Sequence, residues 1–310
     1  MKIAIASGKG GTGKTTLAVN LAMIVPEEVV LLDCDVEEPN CHVFLPPQLD
    51  LSRPVSVLVP VVDRDRCVAC GACSRFCEFH AIADLDTGPL LFAELCHSCG
   101  GCVRVCPTGA LSETTREIGT IEEGWAGRVR VVQGRLRITE AASSPLIRAV
   151  KKRGPAEWLT LIDCPPGTSC PVITALQGAD FAILVTEPTP FGLHDLRLAV
   201  ETVRTLGIPF GVVINRARSG YPRIYDYCET ERIPILLEIP DSREVAEAYS
   251  KGRSALEALP LLRDGLKQLY QRVRVRVRVN QERKQAICIA SRASDQAARS
   301  TRRLPNQSRC

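Results

Sequence analysis

The sequence predicts an α/β fold, a doubly wound and mostly parallel sheet with a small, cysteine-rich α+β domain inserted into it. Short and almost continuously apolar runs alternate with helical patterns, as expected for parallel strands covered on both faces. Residues 61–112 are crowded with cysteine and break this alternation. We therefore expect one domain formed by 1–60 and 113–270, with 61–112 inserted between its two parts.

The elements follow in order along the chain. Buried strands are expected at KIAIA, VVLLD, LTLID, FAILVT, FGVVIN and PILLEI, which begin at residues 2, 29, 159, 181, 210 and 234. Helices are expected at 14–24, 192–206, 221–231, 242–251 and 254–270. VRVVQGRLRI (129–138) is expected to form a hairpin that turns at Gln133 and Gly134.

Composition argues against several classes of protein. The chain has 310 residues, of which 45% are hydrophobic, enough for a full α/β core. We expect no membrane span, because no apolar run approaches the roughly 18 residues that a span requires. The first strand begins at Lys2, which predicts a cytoplasmic protein without a signal peptide. Thiols stay reduced there, so the 15 cysteines are expected to be metal ligands or free thiols.

The positive net charge comes from the last forty residues. Residues 271–310 hold 11 Lys and Arg against two Asp and Glu, which leaves residues 1–270 with a formal charge of −5. A mildly acidic body gives no reason to expect a nucleic-acid partner. RVRVRVRV (272–279) alternates with period two but has no following strand to pair with. We expect 271–310 to be a disordered basic tail, with weak attraction to an anionic surface as the alternative.

A glycine-rich loop follows the first strand and satisfies the phosphate-loop pattern G-x-x-x-x-G-K-[ST]. Its glycines let backbone N–H groups surround phosphate oxygens, and the helix after it adds a positive dipole. Lys14 is expected to reach the β- and γ-phosphates, and the Thr15 hydroxyl to ligate Mg²⁺. The predicted nucleotide-binding residues here are Gly8, Lys9, Gly10, Gly11, Thr12, Gly13, Lys14, Thr15 and Thr16.

The additional lysine, Lys9, makes KGGTGKT similar to the deviant Walker A motif of the MinD/ParA class of P-loop ATPases, which includes the nitrogenase iron protein. The resemblance covers nearly all of residues 1–265. It implies ATP and Mg²⁺ as ligands and a homodimer that closes around ATP. It also implies that Lys9 crosses to the phosphates bound by the other copy. A solvated loop lysine is the alternative interpretation.

Other strand ends resemble the same class. Asp35, in DCD after the second strand, resembles the switch I residue that positions the attacking water. Asp163 precedes PPG and resembles the Walker B aspartate, which would hold Mg²⁺ through water. Asn215, Pro240 and Asp241 match the positions that recognise adenine, which favours ATP over GTP. The catalytic set that the resemblance implies is Lys9, Lys14, Asp35 and Asp163.

Two copies of C-x₂-C-x₂-C-x₃-C lie 29 residues apart, at 67–77 and 96–106. This is the spacing of bacterial two-cluster ferredoxins, in which the fourth cysteine of each run ligates the other cluster. One [4Fe–4S] cluster is expected on Cys67, Cys70, Cys73 and Cys106, and a second on Cys96, Cys99, Cys102 and Cys77. Zinc is the alternative, but a Cys₄ zinc site uses two separated C-x-x-C hooks and would leave the third cysteine of each run unused.

The whole chain resembles MinD-superfamily ATPases that carry an inserted ferredoxin domain. Three functions follow as hypotheses. The first is an ATP-hydrolysing iron–sulfur protein that couples nucleotide state to electron transfer to a partner protein. The second is an iron–sulfur carrier or assembly ATPase with a client protein, although carrier relatives use a late C-x-x-C pair and Cys228, Cys288 and Cys310 are isolated here. The third is a positioning ATPase that acts on membrane or DNA.

Cys170 lies seven residues after Asp163, in the segment that resembles switch II. Two interpretations stay open for it: a small buried packing residue, or a thiol that faces the dimer axis or the inserted domain.

Overall fold

A nine-stranded sheet organises the computed structural model, which describes residues 1–217, 221–251 and 253–301. The strands are β1 (Lys2–Ala6), β2 (Val29–Asp33), β3 (Gln48–Val62), β4 (Ile82–Ala83), β5 (Leu90–Leu91), β6 (Leu111–Ala126), β7 (Val129–Leu136), β8 (Leu159–Asp163), β9 (Phe181–Thr186), β10 (Phe210–Ala217) and β11 (Ile235–Pro240). The helices are α1 (Lys14–Ile24), α2 (Cys41–Phe44), α3 (Ala72–Phe76), α4 (Gly101–Arg104), α5 (Ser144–Lys151), α6 (Cys170–Leu176), α7 (Pro190–Thr205), α8 (Arg223–Thr230), α9 (Arg243–Ser250), α10 (Ala255–Ala258) and α11 (Leu262–Thr301).

The large sheet has the order β11-β10-β9-β1-β8-β2-β7-β6-β3. Its strands from β11 to β7 are parallel, and β6 and β3 continue it in antiparallel fashion. A hydrophobic core lies on each face, so the central strands have almost no polar side chains. The expectation of a doubly wound, mostly parallel sheet is confirmed, and each of the six expected apolar runs forms a strand.

The hairpin expected at 129–138 is wrong. β7 runs straight through Gln133 and Gly134 and pairs with β2 on one side and with β6 on the other. Gly134 is required there for close packing, because a Cβ would lie 2.6 Å from Val36 and 2.9 Å from Val150. The turn lies instead at Gly127, whose φ of 58° is left-handed, between β6 and β7.

β3 and β6 form a long antiparallel ribbon that carries the cysteine-rich segment at its tip. β6 pairs with β7 only from Gly119 onward, and Gly119 lies opposite Leu136, the last residue of β7. Residues 111–118 therefore extend beyond the carboxyl edge of the parallel sheet by roughly 27 Å. The tip is closed by a hydrogen bond from Asp63 N to Ala110 O, 2.8 Å long. The expected boundaries 61 and 112 lie within the ribbon strands.

The end of the chain also differs from expectation. The helix expected at 254–270 is divided into α10 and α11, with Pro260 between them. The tail expected to be disordered is helical from 271 to Thr301, since α11 continues through the alternating Val/Arg stretch. Val273 and Val277 are 0% and 4% exposed and extend the buried face begun by Leu266 and Leu269. Residues 302–310 of the expected tail lie outside the described residues.

Among the helices of the described ranges, none is both long enough and apolar enough to cross a membrane.

Candidate functional site

A cavity of about 420 Å³ opens at the carboxyl edge of the parallel strands. Predicted nucleotide residues line it together with later parts of the chain, as expected where neighbouring parallel strands end. The predicted residues in its lining are Gly10, Gly11, Gly13, Lys14, Thr15, Thr16, Asp35, Asn215, Pro240 and Asp241. The structure thus brings together in one cavity residues that lie up to 231 positions apart in the sequence.

The phosphate loop has the backbone that its glycines predict. Gly11 and Gly13 have left-handed φ values of 75° and 93°, and a Cβ placed on Gly10 or Gly11 would meet no atom within 4 Å. Asn215 Nδ2 donates a hydrogen bond to Thr12 O over 2.8 Å and lies against Gly13. Open space beside these glycines fits phosphate oxygens, and Asn215 fixes the loop that borders this space.

Asp163 lies at the end of β8 with the donor set expected beside Mg²⁺. Its side chain is fully buried, and Thr15 Oγ1 donates to its Oδ2 over 2.6 Å. The other carboxylate oxygen, Oδ1, is buried without a hydrogen-bond partner. A buried carboxylate oxygen in this state fits a hydrated cation. Burial, together with the charge of Asp33, raises the pKa of Asp163 to about 7.

The segment after β2 is held by Asp33, a role that the sequence reasoning missed. Asp33 Oδ1 accepts a hydrogen bond from Asp35 N (3.1 Å), and Oδ2 accepts from Asn40 N (2.9 Å) and Cys41 N (3.0 Å). These bonds fix the turn that presents Asp35 to the cavity. Cys41 Sγ, also buried, donates to Asp163 Oδ2 over 3.5 Å. A carboxylate at a strand end followed by a short turn was the signal that could have identified Asp33.

Lys9 does not line the cavity in the single chain. Its Nζ lies 3.6 Å from Glu187 Oε2, at the end of β9, and Arg216 also pairs with Glu187. Gly8, before Lys9, packs so closely against α7 that a Cβ would lie 2.2 Å from Asp195 O. The sequence carries no local signal for the pair, since its two residues are 178 positions apart.

The eight motif cysteines line two separate cavities near the tip of the ribbon. As expected, each cavity is lined by the first three cysteines of one run and the fourth cysteine of the other run. The first cavity contains Cys67, Cys70, Cys73 and Cys106, and the second contains Cys96, Cys99, Cys102 and Cys77. Two backbone N–H groups point at the sulfurs, from Ala110 to Cys106 at 3.2 Å and from Ser98 to Cys96 at 3.4 Å. Four thiols around one cavity fit the donor set of an iron–sulfur cluster.

The two cysteine runs also repeat in backbone conformation. Left-handed residues recur at the same offset of 29. Ala69 and Gly71 in the first run correspond to Ser98 and Gly100 in the second, and His80 and Gly109 correspond three residues after each run. Short helices α3 and α4 begin after the equivalent glycines. Gly101 admits Phe76 so closely that a Cβ would lie 1.9 Å from its ring. The segment is therefore a structural duplication whose halves pack against each other.

Other cysteines are placed differently. Cys170 is the first residue of α6 and is exposed, so the interpretation of it as a buried packing residue is wrong for the single chain. Cys228 is buried in the core. The side chain of Cys288 and the whole of Cys310 lie outside what the structure describes.

Comparison with known proteins identifies one family and several relatives. The CobQ/CobB/MinD/ParA nucleotide-binding domain model matches residues 3–255. An uncharacterised protein of Methanocaldococcus jannaschii is 35% identical over 252 residues, covering 77% of this chain and 86% of that protein. An iron–sulfur cluster carrier protein of Aquifex aeolicus is 28% identical over 276 residues, covering 83% of this chain and 62% of the relative.

A solved structure shows the same fold. The septum site-determining protein MinD of Pyrococcus horikoshii, complexed with Mg-ADP, superposes with a TM-score of 0.54 at 20% sequence identity. The match covers 88% of this chain and 95% of that one.

Proposed function

The chain belongs to the CobQ/CobB/MinD/ParA nucleotide-binding family, and from this premise we propose that it is an Mg²⁺-dependent ATPase that couples its nucleotide state to electron transfer. The electrons would pass between the cysteine-rich segment and a partner redox protein. The match to this family supports the nucleotide part. The two four-cysteine cavities support the redox part.

One observation carries the coupling: a continuous path of backbone hydrogen bonds from the nucleotide cavity to the ribbon. Val36, next to Asp35, accepts a hydrogen bond through its carbonyl from Leu136 N over 2.8 Å. The next residue, Arg137, donates from its N to Ile118 O over 2.9 Å, at the base of the ribbon. A movement of the Asp35 segment therefore acts on a strand that leads directly to the cysteine cavities.

Several residues of the chain have separate roles in ATP binding and hydrolysis. Lys14, 6% exposed at the start of α1, neutralises charge on the terminal phosphates. Asp35 orients the attacking water, and Asn215 and Pro240 contact the adenine. Lys9 reaches the phosphates held by a second copy, so hydrolysis depends on a homodimer. Thr15 and Asp163 would hold Mg²⁺, which would supply charge stabilisation at the phosphates.

The cysteines give the second part of the function its chemistry. Thiolates of the two four-cysteine sets would hold one [4Fe–4S] cluster each, and such clusters store and release single electrons. Cys73 and Cys102 are buried, whereas Cys70 and Cys99 are exposed. The exposed pair lies on the surface that a redox partner would approach.

The experiment measures metal content and nucleotide response in the same anaerobic preparation. We expect about eight iron and eight sulfide per chain, and a change in reduction potential or reoxidation rate when a non-hydrolysable ATP analogue binds. The Lys14→Ala variant should keep the iron but lose the nucleotide response, because it does not hold the phosphates. A zinc-loaded protein, or iron–sulfur chemistry identical with and without bound nucleotide, contradicts the proposal.

A cluster carrier is the second candidate, favoured by the relatives named iron–sulfur cluster carrier proteins. Those relatives are longer, and the match spans 60–62% of the length of two of them. Iron content after turnover distinguishes the two functions. A carrier loses iron to an apo-protein acceptor during ATP hydrolysis, whereas a redox ATPase keeps about eight iron per chain.

A further inference from the structure

An ion pair holds Lys9 within its own chain. Glu187 Oε2 lies 3.6 Å from Lys9 Nζ, and Glu187 Oε1 accepts Arg216 Nη1 over 2.8 Å. The Glu187 side chain is 11% exposed, against 33% for Lys9 and 58% for Arg216. One nearly buried carboxylate therefore binds a cation from each of two loops, the phosphate loop and the end of β10.

Glu187 is the fixed member of the Lys9 pair. Its carbonyl accepts a hydrogen bond from Thr189 N over 2.8 Å, and a Cβ on Gly192 would lie 2.2 Å from the same carbonyl oxygen. Thr186 Oγ1 also donates to Gly192 O over 3.0 Å, which closes the first turn of α7 on Glu187. Lys9 lies between glycines, with open space around Gly10. The lysine can therefore turn away while the carboxylate stays in place.

Arg216 makes the release of Lys9 possible at low cost. A carboxylate as buried as Glu187 is strongly destabilised when it loses its only cation. Arg216 stays on the other oxygen and continues to neutralise the charge. Its backbone has a left-handed φ of 52° and follows Asn215, which holds the phosphate loop through Thr12 O. The second cation is thus positioned by the same strand end that borders the nucleotide.

We propose that Glu187 is a positioning residue that holds Lys9 in an ion pair in the single chain and releases it when two copies close around ATP. Arg216 neutralises Glu187 in both states. The inference rests on the proposed action of Lys9 across the dimer. The Lys9–Glu187 ion pair competes with dimerisation, so weakening this pair favours the dimer. Removing Arg216 leaves Lys9 as the carboxylate's only cation, and therefore disfavours the dimer.

The test measures the protein concentration at which half of the chains are dimeric, by sedimentation with a saturating non-hydrolysable ATP analogue. Glu187→Gln should lower this midpoint roughly two- to five-fold, the size expected for a partly exposed ion pair. Arg216→Gln should raise it by a similar factor. Glu231→Gln is the matched control, because it removes the same charge from the pair with Arg204 and should leave the midpoint unchanged.

Opposite shifts of the midpoint for Glu187→Gln and Arg216→Gln support the competition between the Lys9–Glu187 pair and the dimer. If these charged residues had only a structural role, both variants would weaken the dimer. Shifts in the same direction, or none, overturn the proposed competition. Lys9→Ala separates this inference from the proposed function. If Lys9→Ala dimerises like the wild type, the action of Lys9 across the dimer is wrong. If Lys9→Ala loses the dimer but Glu187→Gln and Arg216→Gln do not shift the midpoint in opposite directions, only the proposed role of Glu187 is wrong.

Discussion

Two aspartates at the ends of neighbouring strands form hydrogen bonds with residues that line the nucleotide cavity. Asp33 and Asp163 lie side by side in the register of β2 and β8, and both are fully buried. Burial disfavours the ionised form and raises the pKa of both carboxyl groups. Asp33 offsets part of this cost through three backbone N–H donors. In its ionised form Asp33 also raises the pKa of the nearby Asp35.

Hydrolysis should therefore depend on pH through Asp35. Burial, followed by the charge of Asp33, raises the pKa of Asp35 to about 6 in the nucleotide-free chain. The ionised carboxylate is a much stronger hydrogen-bond acceptor for the attacking water than the protonated acid, so the rate should fall as the pH drops through about 6. Bound ATP adds negative charge, which raises the pKa of Asp35 further and shifts the fall in rate to higher pH. Single-turnover hydrolysis between pH 5 and 8 measures it.

The control for this pH dependence is Asp35→Asn, measured at saturating Mg²⁺ so that Asp163 stays ionised; its residual rate should lack the fall in rate near pH 6. A wild-type rate that stays constant from pH 5 to 7.5, at saturating nucleotide, would show that Asp35 does not act in its ionised form.

The site residues divide into those that sequence could identify and those that it could not. Lys14 and Thr15 belong to a motif whose spacing is local, so a short stretch of sequence determines it. Lys9 was identified by resemblance alone, and its contact with Glu187 could not be predicted. That contact depends on how β1 and β9 lie in the sheet, which no local pattern encodes.

At the scale of elements, α11 shows how one pattern can satisfy two structures. Alternating Val and Arg in 272–279 has the period of a strand, but alternate valines also lie four residues apart. Leu266, Leu269 and Tyr270 precede them on the same helical face and pack on the sheet. The helix therefore continues, because Val273 and Val277 extend a buried stripe that a strand would leave unpaired.

Two valines of this helix provide a matched pair of substitutions. Val273→Ala should lower the free energy of unfolding by roughly 1–3 kcal/mol, because Val273 is fully buried. Val275→Ala, at a position 61% exposed in the same helix, should change it by less than about 0.5 kcal/mol. Urea denaturation of the nucleotide-free protein measures both. Equal effects of the two variants would show that this part of α11 does not pack on the body.

The strands also divide into those that the sequence predicts and those that it does not. Six of the seven parallel strands were predictable from their continuous apolar sequence, and five of these six lie inside the sheet, covered on both faces. β3 and β6 were missed because most of their side chains are exposed or half-buried, and β3 contains Asp50, Pro54 and Pro60. Pro is tolerated there because β3 is an edge strand of the sheet. A strand without a buried face carries no apolar signal to read.

At the scale of the whole molecule, the ribbon separates the cysteine-rich segment from the nucleotide cavity while keeping both on one edge of the sheet. It projects past the carboxyl ends of the parallel strands, which also form the nucleotide cavity. Val62 lies opposite Leu111 at its tip, directly before the cysteine-rich segment. This segment therefore leaves and rejoins the sheet at one position, and no strand of the sheet depends on it for pairing.

Replacement of residues 64–109 by Asn-Gly should therefore leave a folded nucleotide-binding chain. A two-residue turn of this type closes on a hydrogen-bonded pair of opposite residues, as Asp63 and Ala110 are. Nucleotide affinity, measured by calorimetry, should stay within about two-fold of the intact chain, and iron should be absent. The full chain with Lys14→Ala provides the reverse pattern, iron without nucleotide. An insoluble product, or loss of nucleotide binding, would show that the segment is part of the ATPase core.

The crossed membership of the two cysteine cavities makes the two runs depend on each other. Cys77 closes the cavity of the second run and Cys106 that of the first, so neither run completes a set of four by itself. Damage to one run would therefore leave both cavities incomplete: the cavity of that run would lose up to three cysteines, and the other cavity would lose its fourth.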